Sequence, residues 1–211
     1  MIENGFTKAL EFRHACKVFD ENRKIDSNSM RYILEAGRLS PSSFGQEAWK
    51  FLVITNPKLK AKLRPYCWNQ AQITSCSHLV ILLAGIESAK VSSGVPAKRF
   101  ARRTHLTSEQ IENYIALYAN HLSDTLSSDE SIYSWTSKQC YIASANMMMA
   151  GAYIGIDSCP IEGFEKSKVE ELLELDTTKF QVALILPFGY RVDEPPKKIR
   201  LPFDEVVEFI E

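Results

Sequence analysis

Arg13-His14-Ala15-Cys16-Lys17-Val18-Phe19-Asp20 sets two cations four residues apart, just after a segment studded with Phe6, Leu10 and Phe12. Such a pair can grip one extended anion, Arg13 by its planar fork and Lys17 as a point charge. Alone, the octapeptide also reads as an ordinary basic surface turn. Three further segments give it meaning. Ser40-Pro41-Ser42-Ser43-Phe44-Gly45, with Trp49 beyond it, sets hydroxyl donors at a helix exit, because Pro41 disfavours helical geometry at Ser40. Pro160-Ile161-Glu162-Gly163-Phe164 encloses one carboxylate between Pro and Gly, a turn suited to presenting backbone N–H groups. Lys198-Ile199-Arg200-Leu201-Pro202 carries cations on a tail whose Pro195, Pro196 and Pro202 forbid a single helix.

Between these segments the chain alternates helical and extended patterns. Phe6–Phe12 is a short helix. Asp26-Ser27 caps a second, with Met30, Ile33, Leu34 and Gly37 inward. Phe51–Ile54 reads as a buried strand, and Asn56-Pro57 as the turn opening the next helix. His78–Ala84 is apolar without alternation, hence a strand covered on both faces. Lys90–Arg103 is polar and basic and is expected to be a mobile loop. Thr107 and Gln110 form a capping box, opening a helix with Ile111, Tyr114, Ile115, Tyr118 and Leu122 on one side. Ser137–Ile156 is the longest predicted helix, with Gly151 and Gly155 permitting close approach of another backbone. Glu165–Leu175 follows as a surface helix on Val169, Leu172 and Leu173, and Phe180–Leu186 is the third strand.

The chain has 211 residues, 45% hydrophobic and 24% charged, with a net charge of −1. That length buries a full core in one domain, and the balanced charge favours neither nucleic acid nor an acidic membrane as partner. Five scattered cysteines (Cys16, Cys67, Cys76, Cys140, Cys159) without a C-x-x-C pair argue against disulfides and zinc. The polar start Met1-Ile2-Glu3-Asn4-Gly5 is not a signal peptide. Cys140–Ile156 is too short and polar for a membrane span and reads as a core helix. A cytoplasmic protein is expected. No G-x-G-x-x-G, P-loop, H-E-x-x-H or G-x-S-x-G motif is present, and the four histidines lie far apart. Metal and triad chemistry are therefore not expected.

In this order and at these separations, the four segments resemble the oxygen-insensitive NAD(P)H nitroreductases, a family of FMN-dependent flavoproteins. The likeness runs from Arg13 to Pro202 and includes Trp68-Asn69-Gln70 and the strand entry Ser77-His78-Leu79-Val80. It implies an α+β fold with a central, mostly antiparallel sheet flanked by helices, in an intertwined homodimer. Residues 1–190 would form the FMN-binding domain and 191–211 an extended C-terminal arm around the partner subunit.

The resemblance also implies roles. Arg13, Lys198 and Arg200 would hold the FMN phosphate, beside His14 and Ala15. Lys17 would lie at the N1/O2 edge of the flavin, stabilising negative charge on reduction. Asn69 would bond the ribityl chain or pyrimidine edge, near Gln72. At the Pro160-Ile161 turn, the Glu162 and Gly163 amides would face N5 and O4. Pro41, Ser42, Ser43 and Gly45 would come from the partner, and Phe44 and Tyr118 would stack on the acceptor. For Tyr118 a plain core position fits the helical spacing equally well. NADH or NADPH would supply hydride, passed in ping-pong order to a nitroaromatic or quinone-type small molecule. Free-flavin reduction, or flavin binding without turnover, are the alternatives. Ala15, Gly45, the Glu47-Ala48-Trp49 turn and Gln72 depart from the commoner family residues (Ser, Asn, Gln-Pro-Trp and Lys), several of them in a way similar to the RdxA-type branch. Cys159, beside the turn, reads as a small buried hydrophobe.

Overall fold

The computed structural model describes residues 4–211; Met1–Glu3, part of the polar start read above, lie outside the described residues. Two helices lead the chain, α1 (Gly5–Phe12) and α2 (Ser27–Arg38). Asn4 and Asp26 begin them, each accepting two backbone N–H bonds that the first helical turn cannot satisfy internally. Strand β1 (Trp49–Ile54) is followed by α3 (Pro57–Leu63), capped by Asn56 with Pro57 in its first turn. After the single turn α4 (Gln72–Ser75) comes β2 (His78–Gly85). Helices α5 (Val95–Ala101), α6 (Ser108–Thr125) and α7 (Asp129–Tyr153) precede β3 (Asp157–Ser158). The chain ends with α8 (Lys166–Leu172), β4 (Phe180–Gly189) and the short α9 (Phe203–Val206) within the tail.

The sheet order is β1-β2-β4-β3, with every neighbouring pair antiparallel. Successive side chains of β2 point to opposite faces, so its unbroken apolar run feeds two cores. Leu79, Ile81 and Leu83 pack with Leu63, Ile73 and Val169 on one face. Val80, Leu82 and Ala84 pack with Met30, Ile33 and Met147, from α2 and α7, on the other. Opposite Leu82 and Leu83 the register of β4 shifts, Leu82 facing Leu184 and Leu83 facing Val182. Ala183 is the extra residue, a bulge that lets β4 keep Val182 in the first core and Leu184 in the second. No helix among the described residues is long and apolar enough to cross a membrane.

Four expectations are corrected. Strand β1 is not buried: it lies at the sheet edge, and only Ile54 is fully covered. Lys90–Arg103 is not a loop but contains α5, held by the fully buried ring of Phe100, by Arg99 donating to the Ser88 carbonyl (3.2 Å) and by a Lys90–Asp129 ion pair. One aromatic plug organises an otherwise polar stretch. Helix α7 begins at Asp129, eight residues earlier than read, because Ser128 and Ser131 form a capping box without the usual Glu or Gln. Of its two glycines, Gly151 does sit tightly, a Cβ there lying 3.2 Å from the Ile156 carbonyl oxygen. Gly155 has open space around it, and its φ of +75° serves the left-handed exit from the helix.

Candidate active site

Arg13 ends α1, and the strap that follows runs onto the sheet edge. Ala15 bridges Ser158 in parallel, and the Cys16 amide donates to the Ser158 carbonyl at 3.1 Å. From the other end of the chain, the tail returns to the same place. Lys198 Nζ donates to the carbonyls of Leu10 and of Arg13, the latter at 2.7 Å. These are C-terminal carbonyls of α1 and its cap, which carry partial negative charge and lack helical partners. Arg13, His14, Ala15, Lys198 and Arg200 line one cavity of about 410 Å³. Lys198 is pushed below the usual lysine value, by desolvation first and then by the charges of Arg13 and Arg200. With Lys197, four cations share this space with one carboxylate, Glu11. A further anion between them would stabilise that arrangement.

A buried ion pair aims the tail. Asp157 on β3 accepts from the Arg191 backbone (3.0 Å) and Nε (3.1 Å), and its other oxygen is 2.8 Å from Nη2. The guanidinium also lies 4.0 Å from the centre of the Phe12 ring. His14 Nδ1 is 3.5 Å from Asp157 Oδ1, too long for a hydrogen bond. Burial first, then the Arg191 charge, lowers the His14 pKa, and His78 is lowered too, by burial and then by Lys60 and Lys24. The unfolded chain therefore takes up these protons near pH 6.5, whereas the folded chain does so only at lower pH. Stability is expected to be fully held above that value and to fall as pH drops below it. Urea midpoints measured from pH 8 to 5 will show the decline, and His14→Gln and His78→Gln will each flatten it.

The Pro160–Gly163 turn is tied to the strap by a relay of side chains. Lys17 Nζ and Gln72 Nε2 both reach Cys159 Sγ at 3.8 Å. Gln72 also donates to Gln70 Oε1 (2.9 Å), and Gln70 donates to the Gly163 carbonyl (2.9 Å). The Ile161 amide is spent on β4, and those of Phe164 and Glu165 on Glu162 and Tyr66. Among the described residues no bond engages the amides of Glu162 and Gly163. Gly163 leaves no room for a side chain, since a Cβ would come 2.5 Å from the Trp68 ring. Trp68 and Asn69 both adopt left-handed φ of 54°, an unusual pair that turns the loop under the Gly163 backbone. Cys159 is fully buried, and burial pushes its thiol up against the opposing pull of Lys17 and Gln72. It is an inert packing residue in this setting.

The Ser40–Gly45 segment lies elsewhere in the chain's own fold. Ser43 donates its amide to Gln139 of α7 (2.9 Å), and Asn146 donates to Ser40 Oγ (2.8 Å). Phe44, Gly45 and Glu47 all have positive φ, and Arg103 holds the turn by donating to the Phe44 carbonyl at 2.6 Å. The Phe44 ring meets Tyr118 edge-on at 5.2 Å. Tyr118 is fully buried and donates its hydroxyl to the Ala89 carbonyl (2.6 Å), so its ring is a core element.

The model of the "Nitroreductase family" matches residues 10–190. The chain belongs to the nitroreductase family. Over 218 residues it is 39% identical to "Putative NAD(P)H nitroreductase YfkO" of Bacillus subtilis, covering 99% of both chains. Over 220 residues it is 41% identical to "Putative NAD(P)H nitroreductase SH0546" of Staphylococcus haemolyticus, again with 99% of each covered. A "putative nitroreductase in complex with FMN" from Exiguobacterium sibiricum shares the fold at a TM-score of 0.84. It is 21% identical and covers 100% of this chain and 99% of that one. In this nitroreductase the strap meets the tail at Lys198 and the turn at Cys159, while Ser43 is held by Gln139 of α7 and the Phe44 carbonyl by Arg103. Two features had no sequence signal. Asp157 pairs with a residue 34 positions away, and Tyr141 Oη donates to Glu162 Oε1 at 2.6 Å from the preceding helix. Neither Asp157 nor Tyr141 lies in a recognisable local pattern.

Proposed function

We propose that the chain is an FMN-dependent NAD(P)H oxidoreductase that reduces nitroaromatic or quinone-type small molecules. The observation that carries this reading is the cavity where Arg13, Lys198 and Arg200 meet; Glu11 also lines it, but among the described residues none of the three cations forms an ion pair with a carboxylate. A phosphate dianion fits three such cations. The relatives' names as NAD(P)H nitroreductases and the FMN complex of the Exiguobacterium protein support the same assignment. When bound, FMN would supply the redox chemistry, hydride transfer from NADH or NADPH to the acceptor in ping-pong order.

The protein's part is binding, orientation and charge. Arg13, Lys198 and Arg200 would hold the phosphate, with His14 and Ala15 lining its approach. The unengaged amides of Glu162 and Gly163, on the Pro160-Ile161 turn, would donate to the flavin's N5/O4 edge. Asn69 and Gln72 would flank the ribityl chain and pyrimidine. Pro41, Ser42, Ser43 and Gly45 would reach the site from the second subunit of a homodimer, and Phe44 would meet the acceptor. Residues 191–211 would act as an arm on that subunit. Its exposed apolar side chains, Ile199 at 84% and Ile210 at 92%, favour a partner surface over solvent.

Lys17 would stabilise the charge of the reduced cofactor. Lys17→Gln is expected to lower the midpoint potential by about 30 mV, equivalent to about 1.4 kcal/mol for a two-electron couple. Dye-equilibrated spectroscopic titration checks this, and an unchanged potential refutes the assignment. The function itself is tested anaerobically. NADH or NADPH should bleach the yellow protein, and a nitroaromatic should restore the colour. Protein that stays colourless after mixing with FMN overturns the reading.

A further inference from the structure

A second cationic cavity, of about 450 Å³, lies between the start of α3, the end of β1 and the entry to β2. It shares no lining residue with the Arg13–Arg200 cavity. Lys24, Lys60 and His78 line it, with the hydroxyls of Thr55, Thr74 and Ser77. Lys60 is the decisive member. It is only 3% exposed, and its ammonium donates to the Cys76 carbonyl at 2.6 Å, with a weak contact to Cys76 Sγ at 3.9 Å. An ammonium has three donors, and among the described residues no carboxylate pairs with this one. Buried charges are ordinarily paired, because desolvating a lone ion costs several kcal/mol.

We propose that this cavity is a binding site for a phosphate group, free or as a phosphomonoester, seated between the ammonium groups of Lys60 and Lys24. The Thr55 hydroxyl can donate to a remaining phosphate oxygen, whereas Thr74 Oγ1 already donates to the Ala71 carbonyl (3.2 Å) and accepts from Arg64 Nη1 (3.3 Å). Ser77 is already engaged, accepting from the Ile25 amide at 2.9 Å and lying 3.0 Å from His78 Nδ1. The charged and titratable groups that line the cavity are Lys60 of α3, His78 of β2, and Lys24 and Glu21 of the segment before α2. Glu21 is exposed, and water and salt screen it, whereas Lys60 is shielded from both. His78 reports on the balance, since burial first and then the charges of Lys60 and Lys24 lower its pKa. An anion seated between them reverses that push. The site is independent of the flavin assignment, as no residue of the proposed cradle takes part.

The test is NMR titration of the histidine rings in the full flavin-loaded chain after unbound FMN, itself a phosphomonoester, has been removed, with His78 assigned through His78→Gln. Inorganic phosphate is compared with chloride at matched ionic strength. Phosphate is expected to raise the His78 pKa by about half a unit or more. Lys24→Gln and Lys60→Gln should each weaken the apparent phosphate affinity about tenfold, as for the loss of one charge-assisted bond. Adenosine 5′-monophosphate in a parallel arm separates the sources: a response at lower concentration than inorganic phosphate marks a phosphomonoester site. If Lys60→Gln does not fold, the exposed Lys24 variant carries the comparison. The response should persist in Arg200→Ala, which keeps this test separate from the flavin cradle. A His78 pKa that phosphate and chloride move equally, or a phosphate response unchanged in the folded lysine variants, overturns the proposal.

Discussion

Arg200→Ala is expected to purify with little flavin and to bind added FMN about 10- to 100-fold more weakly than the parent chain. The estimate is the loss of one charge-assisted hydrogen bond, about 1.5–3 kcal/mol. Arg200 is the clean position for this experiment. Among the described residues its side chain bonds only the neighbouring Ile199 carbonyl, so truncating it disturbs little of the fold. Lys198 differs, because its ammonium also caps the Leu10 and Arg13 carbonyls, and Lys198→Ala will loosen the end of α1 as well. Fluorescence titration with FMN gives the affinity, and thermal unfolding of the apoprotein shows whether stability has changed. Unaltered FMN affinity in Arg200→Ala would falsify the phosphate assignment.

Asp157→Ala should destabilise the chain by about 3–5 kcal/mol, the usual cost of removing one partner from a buried ion pair. Asp157 is 4% exposed, and its carboxylate takes three contacts from Arg191. Without it, the guanidinium is left against the Phe12 ring with no anion, and the tail loses the anchor that directs it toward Lys198. Urea denaturation should therefore show a lower midpoint. FMN binding should weaken alongside it, because Lys198 and Arg200 follow the anchor by a few residues. Asp157→Asn, which keeps the shape but not the charge, should fall between the two. Equal stability of Asp157→Ala and the parent would mean that the pair offsets no more than its own desolvation.

Much of this protein was legible in its sequence, wherever the cause is local. Asp26, Asn56 and Thr107 begin helices because a side-chain oxygen can reach amides two or three residues on, a relation contained in the sequence itself. The apolar run His78–Ala84 is an inner strand because a residue buried on either face must be apolar. Four ordered motifs sufficed for the family, since the residues around a cofactor are constrained whatever surrounds them. The capping box of Ser128 and Ser131 was missed for a local reason as well, a serine standing in for the usual acid or amide.

Periodicity says which face of an element is apolar but never names the neighbour that covers it. Only the packed chain decides that β4, nearly last in sequence, lies between β2 and β3. Tyr118 turns inward because Phe44, Phe100 and Trp135 surround it and the Ala89 carbonyl needs its hydroxyl. Phe100 makes a helix of a stretch whose composition reads as loop. Lys198 meets Arg13 across 185 residues through a tail directed by Asp157, and Lys60 becomes a buried cation only where Cys76, at the end of α4, comes to lie against α3. The sequence alone determined the ordered family motifs and which local structures begin where. Their meeting is a tertiary fact, because it depends on long-range burial and charge pairing, and neither leaves a mark at a fixed spacing along the chain.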